Sequence, residues 1–593
     1  MPIPKWPSLV EMFFDQAARF SGKPFLYKKQ DGAFVGETWG EVAVKVATLA
    51  AALKGLGVKP GDRVMLVSEN SPNWLISDMA IMTAGAVTVP SYTTYTVNDY
   101  LHVLDDSGAN FAIVSSRSLA QTFFQAAHQT HRLQHAIVME DPQLEQNINC
   151  PLHKWDDIMA AADGDVAAAR ANISVGRSDL ACLIYTSGTG GAPKGVMMPH
   201  GAILHNCEGA AEVVRPLGLD NNRFLSFLPL SHAYEHSAGQ FLPISIGASI
   251  YYAEGIDKLG ANMEEVSPTF MVVVPRLFEM LRSKISRAME KEGGLKYQLF
   301  QQAIHLGSKR YNDPRSMTFK ENIQNRFLNV SVRKKIQGKF GGKMKALVSG
   351  GAPLATDVGL FFASLGLPLL QGYGQTEAGP VISVNPPHDP RMHTVGKLLA
   401  NTEVEIAEDG EILVRGELMM QGYWRNEAET NKTIIDGWLH TGDVGRFDKD
   451  GYLEITDRKK DIIVNDKGDN VSPQRIEGLL SLEDEIAQAL VYGDKRPHLV
   501  GLLVPDAEWL RDWCRANKKS LRLNEIYQDP DLIKALSEAV SRVNAPMANL
   551  EKVRRFAIAP EAFTVENEQM TPTLKIRRHV LNAHYKKTIE GLY

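Results

Sequence analysis

The first hundred residues alternate between helix-like and strand-like hydrophobic patterns. Apolar residues recur every three or four positions from 42 to 56, after the capping-box sequence Thr38-Trp-Gly-Glu41, and predict one face of a helix. The apolar runs 64–67 and 86–90 predict two buried strands, with a second helix between them that begins after Ser71-Pro72. A strand, a helix and a strand in this order imply a parallel pair of strands with a right-handed crossover.

Further short apolar runs follow, and stretches with helical periodicity separate them. These runs lie at residues 111–114, 136–139, 180–185, 270–274 and 345–349. Short buried strands that alternate with helices are typical of parallel or mixed sheets with helices on both faces. The sequence therefore predicts an α/β fold.

The hydrophobic pattern changes near residue 402. Four short strand-like segments are joined by turns such as Asp448-Lys-Asp-Gly451, which is typical of antiparallel hairpins. They lie at residues 403–406, 411–414, 444–447 and 452–455. After the charged segment 457–461 the pattern becomes mixed again, and Ser472-Pro473 opens a helix. We therefore expect a large N-terminal domain, residues 1–456, with a small β-barrel-like part, and a small α+β C-terminal domain, residues 457–593.

Composition narrows the class of protein. Hydrophobic residues make up 44% and charged residues 22% of the 593 residues, which excludes disordered and fibrous proteins. The formal net charge of −5 argues against binding to duplex nucleic acid. The four cysteines are far apart and form no CxxC pair, so we expect a reducing compartment. With neither a signal-peptide pattern nor a membrane-spanning run, we expect a cytoplasmic protein and leave peripheral membrane contact open.

A glycine-rich segment follows the predicted strand 180–185. The sequence Tyr185-Thr-Ser-Gly-Thr-Gly-Gly-Ala-Pro-Lys-Gly195 combines four glycines, three hydroxyl residues besides Tyr185, and Lys194. Backbone N–H groups and hydroxyls in such a loop can surround a polyphosphate while the lysine supplies positive charge. The loop is not a Walker A motif, because Gly195 stands where Ser or Thr would bind magnesium. A flexible glycine loop without a ligand is the alternative interpretation.

A second motif indicates a different chemistry. His232-Ala-Tyr-Glu-His236 fits the H-x-x-E-H pattern of inverted zinc peptidases. Two histidines four residues apart share a helix face and could bind Zn²⁺. The preceding segment 224–230 is typical of a strand followed by a loop, so we do not expect a helix here. Zinc-dependent hydrolysis is kept as an alternative function that metal analysis would distinguish.

The glycine-rich segment Thr186–Gly195 resembles the phosphate loop Thr-Ser-Gly-Thr-Thr-Gly-x-Pro-Lys-Gly of the adenylate-forming enzymes and departs from it at Gly190. This family includes acyl-CoA synthetases, peptide-synthetase adenylation domains and luciferases. Six further segments match the family's motifs in the same order, and together they extend over most of the chain. They are Leu228–His232, Ser349–Leu354, Gln371–Glu377, Asp436–Asp443, Tyr452–Asp461 and Met570–Arg578.

The resemblance implies ATP and Mg²⁺ as ligands. It implies nucleotide binding by Thr186, Ser187, Gly188, Thr189, Lys194, Gly351, Ala352, Tyr373, Gly374, Thr376, Asp443 and Arg458. The magnesium positions that it implies are Thr186 and Glu377. Adenylyl transfer brings two anions together, so such a site must above all neutralise and align phosphates.

The resemblance also implies the catalytic groups. Lys575 would bridge the substrate carboxylate and the α-phosphate, and its positive charge would offset the repulsion between the two anions. His232 would lie beside the path of the carboxylate and the thiol as a positioning residue. Lys460 occupies the position of the family's hinge, about which the C-terminal domain moves as a lid after the adenylate forms.

The branch of the family is indicated by Val274-Pro-Arg-Leu-Phe-Glu279 and by a long insertion before Ser349, both of which resemble long-chain fatty acid–CoA ligases. This resemblance implies that a long-chain fatty acid is converted to acyl-adenylate and then, with coenzyme A, to acyl-CoA, AMP and diphosphate. A fatty acyl-AMP ligase that delivers to a carrier protein is the alternative.

The insertion is rich in positive charge. Residues 309–345 contain eleven Lys or Arg and two acidic residues. This region could contact the phosphates of coenzyme A or an anionic membrane, or it could simply form solvated helix faces.

Overall fold

Two large β-sheets organise the N-terminal part of the chain, and a smaller sheet follows them. The computed structural model describes residues 4–144, 148–161, 164–186, 192–466, 469–571 and 575–593. The predicted capping box is present, because Thr38 and Glu41 bond each other's backbone at the start of the helix Trp39–Gly55. Ser71 caps the next helix and Pro72 is its first residue, as predicted.

The first large sheet has seven strands. In spatial order they are Leu152–Lys154, His135–Val138, Phe111–Val114, Arg63–Val67, Val87–Ser91, Leu180–Thr186 and Lys194–Pro199. All neighbours are parallel except the last pair, which is antiparallel and carries the glycine-rich segment between its strands. The parallel pair predicted from the strand–helix–strand pattern is confirmed by Arg63–Val67 and Val87–Ser91.

The second large sheet has nine strands. In spatial order they are Lys397–Leu398, Val381–Val384, Leu369–Gly374, Ala346–Ser349, Phe270–Val273, Arg223–Ser226, Ser249–Tyr252, Pro24–Gln30 and Ala33–Thr38. The central strands are parallel, and antiparallel strands close both edges. The sheet is therefore mixed, as the predicted fold class requires.

Helices cover these sheets. They are Leu9–Phe20, Trp39–Gly55, Pro72–Thr83, Val97–Ser107, Arg117–Thr130, Trp155–Ala161, Val166–Ala171, His200–Val214, Leu242–Ile246, Leu259–Val266, Pro275–Glu292, Gly294–Asn312, Phe319–Leu328, Lys334–Lys339 and Thr356–Ser364. A π-helix, Glu235–Phe241, precedes one of them. Short 3₁₀ or π segments lie at Arg215–Leu217, Pro314–Ser316, Asn329–Arg333 and Thr376–Ala378.

The main hydrophobic core contains side chains from both large sheets, such as Leu66 from the first and Ile250 from the second. The helix Pro72–Thr83 contributes to this core and is buried over eleven of its twelve residues. A helix with apolar residues on all sides is one that lies inside a protein. Its Asp78 is fully buried and lies beside the π-helix.

The third sheet is antiparallel throughout, as the hairpin pattern predicts. Its strands are Glu403–Ile406, Glu411–Arg415, Ile434–Ile435, Trp438–Phe447 and Leu453–Arg458, and the helix Glu427–Thr433 lies beside it. The two longest strands place Asp443 directly opposite Arg458. Two predicted nucleotide-binding residues are thus cross-strand neighbours.

The C-terminal part combines helices with two small sheets. One sheet contains Ile486–Tyr492, Leu499–Pro505 and Val553–Ile558, and a two-stranded hairpin contains Ile463–Val464 and Asn470–Val471. The helices are Pro473–Leu480, Ala507–Ala516, Leu523–Ile526, Pro530–Asn544, Arg578–His584 and Lys586–Glu590, with a 3₁₀ turn at Asn549–Glu551. The helix predicted after Ser472-Pro473 is present. Across the described part of the chain, every helix is too short or too polar to cross a bilayer.

Candidate active site

One large cleft, of about 2010 Å³, is lined by residues from the N-terminal and C-terminal parts of the chain. Thr186 lies at the end of its strand in the seven-stranded sheet, and Gly374 ends a strand of the nine-stranded sheet. Lys575 approaches from the C-terminal part. Ligands in open α/β sheets bind beyond the carboxyl ends of the strands, so the cleft is the candidate active site.

The phosphate side of the cleft contains a connected group of four residues. Lys194 forms an ion pair with Glu429, and its ammonium group lies 5.1 Å from the ring centroid of Tyr423. The Tyr423 hydroxyl donates to Glu377 Oε1 at 2.8 Å. The predicted Lys194 and Glu377 are therefore joined through Tyr423, which the sequence did not indicate. Three residues predicted to bind phosphate, Ser187, Gly188 and Thr189, lie outside the described residues.

The ribose side of the cleft is built around Asp443. Tyr373 donates its hydroxyl hydrogen to Asp443 Oδ2 at 2.7 Å, and Arg458 Nε lies 3.2 Å from Oδ1. Burial raises the pKa of the Asp443 carboxyl, while Arg458 and Tyr373 oppose this rise. Burial, together with Asp443, raises the pKa of the Tyr373 hydroxyl well above its ordinary value, so Tyr373 stays a donor. The hydrogen bond fixes the position of the Tyr373 ring.

Glycines line another wall of the cleft, called the glycine wall below. A Cβ atom on Gly350 would lie 2.8 Å from Cζ of Tyr234, and one on Gly374 would lie 1.7 Å from the Pro380 carbonyl oxygen. Gly351 has φ of +82°, a conformation that favours glycine. With the neighbouring Ala352, these small residues leave the backbone open to a flat ligand. Larger side chains at 350 or 374 would clash with their neighbours.

Thr376 starts a 3₁₀ turn beside this wall. The turn Thr376–Ala378 follows the strand that ends at Gly374, and it carries Glu377 at its second position. Thr376 itself is buried and lines the cleft. A single turn therefore brings both Thr376 and Glu377 to the lining of the cleft.

Lys575 lies where the charged groups of the cleft converge. Its side chain keeps contact with solvent inside the cleft. Loss of hydration and the nearby Arg458 lower its pKa to about 8, although Asp443 and Glu377 act in the opposite direction. Its backbone N–H donates to the Thr571 hydroxyl at 3.1 Å. A lysine with this pKa is mostly a cation at neutral pH and loses its charge in mildly alkaline solution.

His232 faces the same cleft as a neutral ring. Burial, and secondly Lys575, lower the pKa of its imidazole to about 3. Its Nδ1 accepts the backbone N–H of Tyr234 at 3.2 Å, so the proton of the neutral ring belongs on Nε2. His232 can therefore donate one hydrogen bond, and it carries no charge at neutral pH.

The two histidines of the H-x-x-E-H motif lie in different environments. His236 Nε2 is 2.8 Å from Asp78 Oδ2 in the core, whereas His232 lines the cleft. The predicted strand is present as Arg223–Ser226 and a loop follows it, but the expectation that no helix forms here was wrong, because a π-helix begins at Glu235. No group of three or more His, Cys, Asp or Glu side chains suited to a metal occurs among residues the structure describes. The arrangement gives no support to zinc hydrolysis.

Glu235 lies within the same motif, and its environment does not suit a metal ligand. Its side chain is 1% exposed. Burial raises the pKa of its carboxyl to about 8, with the Ser226 hydroxyl opposing the rise. At neutral pH this buried carboxyl is held mainly in its neutral form. Glu235 is therefore a structural group of the π-helix in this environment.

Apolar side chains line a further part of the cleft. They pack together as one cluster between the helix His200–Val214 and the nine-stranded sheet. The cluster members that line the cleft include Val214, Phe224, Leu242, Phe270, Leu370 and Val381. The Phe224 and Phe270 rings stack with centroids 5.2 Å apart. The cleft thus combines a strongly polar part with an apolar wall.

The segment after Arg458 connects the third sheet to the C-terminal part. Lys459 forms ion pairs with Asp409 and Glu411. Lys460 is exposed, and within the described part of the chain no carboxylate lies within ion-pair distance of it. Its backbone can therefore change conformation without loss of a side-chain ion pair.

The fold and the cleft define the class of protein, an adenylate-forming enzyme that activates an acid with ATP. Comparison with known proteins agrees with this class. Residues 13–424 match the AMP-binding enzyme family, and residues 460–593 match the AMP-binding enzyme C-terminal domain. The chain belongs to the AMP-binding enzyme family.

Two curated relatives show the extent of the similarity. The long-chain-fatty-acid–CoA ligase FadD15 of Mycobacterium bovis is 33% identical over 573 residues, which cover 95% of this chain and 93% of the relative. Long-chain-fatty-acid–CoA ligase 5 of Rattus norvegicus is 28% identical and covers 99% of this chain and 88% of the relative. The resemblance that the sequence motifs indicated is confirmed.

Solved structures confirm the fold class. The adenylation domain of a carboxylate reductase from Mycobacterium chelonae superposes with a TM-score of 0.74 at 21% identity, covering 99% of this chain and 91% of that domain. ATP-bound MatB from Rhodopseudomonas palustris gives a TM-score of 0.71 at 20% identity, covering 98% of this chain and 99% of MatB. The chain is an α/β protein with a large N-terminal domain and a small α+β C-terminal domain.

Proposed function

We propose that this enzyme is a long-chain fatty acid–CoA ligase that forms a fatty acyl-adenylate from ATP and then transfers the acyl group to coenzyme A. The observation that carries the proposal is the apolar wall that continues directly from the polar part of the cleft. A fatty acid needs both surfaces, because its carboxylate must reach the α-phosphate while its chain leaves water. Burial of the chain contributes about 0.8 kcal/mol per methylene group. The relatives named above act on long-chain fatty acids and support the same assignment.

In this proposal the nucleotide lies between the glycine wall and Asp443. Tyr373 and the backbone of Gly351 and Ala352 contact the adenine, while Asp443 accepts from the ribose hydroxyls and Arg458 donates to the sugar. The carboxyl of Asp443 is already held by Tyr373 and Arg458, so it is oriented before the nucleotide binds. Such preorganisation lowers the entropic cost of binding.

Mg²⁺ fits the phosphate side of the cleft. Glu377 uses Oε1 to accept from Tyr423, and no donor to Oε2 is found in the described part of the chain. Mg²⁺ takes hard oxygen ligands and usually keeps several from phosphates and water, so one carboxylate with the Thr186 hydroxyl is a sufficient protein contribution. When bound, the ion would neutralise phosphate charge. Lys194 would add a second cation at the β- and γ-phosphates, once these replace Glu429 as its partner.

Lys575 provides the positive charge at the reacting groups. It lies near Asp443, Glu377 and Arg458, which places it at the junction of the ribose and phosphate sides. There its ammonium group would hold the fatty acid carboxylate against the α-phosphate and reduce their mutual repulsion. His232 would donate from Nε2 to the same carboxylate and keep its orientation.

Thioester formation requires that Lys575 leaves, since the thiol must approach the carbonyl carbon of the adenylate. We propose that residues 457–593 rotate as a lid about Lys460 after adenylation. Lys460 is exposed and forms no ion pair with any of the described residues. This segment is therefore suited to a hinge. The ion pairs of Lys459 would hold the preceding strand end in place.

The experiment supplies purified enzyme with fatty acids from four to eighteen carbons, ATP and Mg²⁺, with and without coenzyme A. AMP and thioester are measured for each acid. We expect kcat/KM to rise with chain length, by up to about fourfold per methylene group while the chain remains in contact with the apolar wall. AMP release that does not depend on coenzyme A would instead favour a ligase that serves a carrier protein.

A matched pair of variants tests the apolar wall. Val214→Phe adds bulk on the cleft side of the apolar cluster, and Leu217→Phe adds bulk to the same cluster away from the cleft. We expect Val214→Phe to lower kcat/KM for sixteen-carbon acid at least tenfold while butyrate activity is retained. The control Leu217→Phe should affect both acids equally. Equal effects of the two variants on chain-length preference would contradict the assignment.

A further inference from the structure

The insertion before Ser349 carries an exposed apolar stripe that the proposed reaction does not use. The stripe consists of Phe319, Ile323, Phe327 and Val330, and these side chains are 83%, 55%, 58% and 62% exposed. They follow the spacing of one helix face along Phe319–Leu328 and into the next turn. The buried face of the same helix is on the opposite side and contains Asn325 and Leu328.

A group of exposed cations, the basic rim, borders this apolar stripe. It consists of Lys320, Arg326, Lys334 and Lys335. With about 100° of rotation per residue, Lys320 and Arg326 fall about 20° beyond the two edges of the stripe. Among the residues that the structure describes, none of the four has a carboxylate within 4.0 Å. The basic rim thus presents unneutralised positive charge on a chain whose net charge is −5.

A neighbouring arginine holds this surface in place from inside. Arg333 is 6% exposed and donates to the backbone carbonyl groups of Ser364 at 2.6 Å, Asn325 at 3.1 Å and Ala303 at 2.9 Å. It is therefore a structural residue and no part of the exposed charge. Arg333 thus connects the segment that carries the apolar stripe and the basic rim to the helices Gly294–Asn312 and Thr356–Ser364.

We propose that the apolar stripe and the basic rim form a docking surface for an anionic lipid bilayer. An amphipathic helix that lies in the membrane interface inserts aromatic and aliphatic side chains between the lipids, while flanking Lys and Arg contact anionic headgroups. The two phenylalanines are the most deeply inserting groups in this arrangement. The exposed face has both features that such a helix requires.

The positive charge of the basic rim favours an anionic membrane over a second copy of the chain as the binding partner. A symmetric dimer through this surface would place one basic rim against another, and like charges across an interface oppose association. An anionic bilayer offers negatively charged headgroups to the basic rim and an apolar acyl-chain region to the apolar stripe. The surface lies outside the cleft, so docking leaves the proposed reaction chemically unchanged.

The experiment is co-sedimentation of the full-length enzyme with vesicles of phosphatidylcholine alone or with about 30% phosphatidylserine. We expect binding to the anionic vesicles that weakens as salt is raised from 50 to 500 mM, because screening reduces headgroup attraction. Phe319→Ser with Phe327→Ser should lower the partition coefficient roughly ten- to hundredfold. Arg326→Glu with Lys334→Glu and Lys335→Glu should abolish the preference for anionic vesicles.

Matched controls change exposed residues outside the insertion. Leu521→Ser with Leu523→Ser removes two apolar side chains that are 46% and 47% exposed. Lys449→Glu with Lys518→Glu and Lys534→Glu reverses three exposed charges elsewhere. Both control proteins should bind vesicles like the wild type. All variants are checked for unchanged thermal unfolding and for activity on a soluble short-chain acid.

Three outcomes would overturn the proposal. The first is wild-type enzyme that remains in the supernatant with anionic vesicles at low salt. The second is equal binding by the wild type and the Phe319→Ser, Phe327→Ser protein. The third is concentration-dependent dimerisation in size-exclusion chromatography that these substitutions abolish without an effect on vesicle binding, which would assign the surface to a second copy. Each of these results is independent of the enzyme's activity in the cleft.

Discussion

The pKa of Lys575 makes the proposed mechanism testable through pH. A lysine cation that bridges two anions supports adenylation only while it is protonated. Because its pKa is lowered to about 8, we expect the adenylation step to lose activity as pH rises through this value. With one proton involved, about nine-tenths of the lysine is charged at pH 7 and about one-tenth at pH 9. The expected fall in kcat/KM between these values is therefore about tenfold.

The assay is diphosphate formation from ATP and fatty acid in a single turnover without coenzyme A, and the second-order rate constant at low ATP, which corresponds to kcat/KM, is measured from pH 6 to pH 10. This parameter reports groups of the free enzyme. Lys575→Gln removes the charge and should lower kcat/KM by about 10²- to 10³-fold. It should leave thioester formation from synthetic acyl-adenylate nearly unchanged, because the lysine has no role in that step of the proposal.

Lys575→Arg separates this lysine from other groups that titrate in the same range, such as Glu235 with its pKa of about 8. Arginine keeps its charge beyond pH 12, so the alkaline fall near pH 8 should disappear even if the maximum rate is lower. A fall near pH 8 that persists in the Lys575→Arg enzyme would refute the reasoning. A flat wild-type profile from pH 7 to pH 10 would do so equally.

Four further predictions follow from the contacts described above. Asp443→Asn weakens the ribose contact and leaves Arg458 without its counter-charge, so kcat/KM for ATP should fall about a hundredfold in the diphosphate assay. Tyr373→Phe removes one hydrogen bond to Asp443, and the KM for ATP should rise about three- to tenfold. Lys460→Pro should leave diphosphate release intact and suppress thioester formation, as followed by acyl-CoA. Glu235→Gln removes the titrating carboxyl, so the free energy of unfolding of this variant should increasingly exceed that of the wild type as pH rises from about 4.5 to about 8. In urea unfolding the difference should be on the order of 4 kcal/mol at pH 8.

The sign of the last prediction follows from the raised pKa of Glu235. The folded state keeps the proton up to about pH 8, whereas the unfolded chain releases it near 4.5, so wild-type stability declines between these values. Exposed Glu290 provides the control, since Glu290→Gln should leave the slope unchanged. Equal loss of both half-reactions in Lys460→Pro would contradict the hinge. An unchanged KM for ATP in Tyr373→Phe would show that Asp443 needs no support from Tyr373.

Local patterns predicted about half of the strands and missed others, such as the edge hairpin Pro24–Gln30 and Ala33–Thr38. The strand Phe111–Val114 was predicted to the residue, and the parallel order around it followed from short apolar runs separated by helices. The capping box at Thr38 and the proline after Ser71 located two helix starts. Each of these signals acts over a few neighbouring residues, where the sequence alone contains the required information.

The π-helix at Glu235–Phe241 could not be predicted in the same way. Its polar residues Glu235, His236 and Gln240 are buried, so the segment has no amphipathic pattern. The hydrogen bond between Glu377 and Tyr423 joins residues 46 positions apart, and no spacing rule connects them. Sequence motifs indicated the members of the candidate site, whereas these contacts depend on how separate segments pack. The order of the motifs supplied what individual spacings could not.

Arg333 gives the insertion a property that bears on its evolution. Its three acceptors are main-chain oxygens, which every amino acid provides, and none of them depends on the identity of a neighbouring side chain. Residues on the outer face of the same segment can therefore be exchanged while the internal attachment is preserved. A relative that retains this arginine could carry a different set of surface residues and hence bind a different membrane or partner. The same arrangement offers protein engineers a place at which the enzyme can be redirected with no alteration to its chemistry.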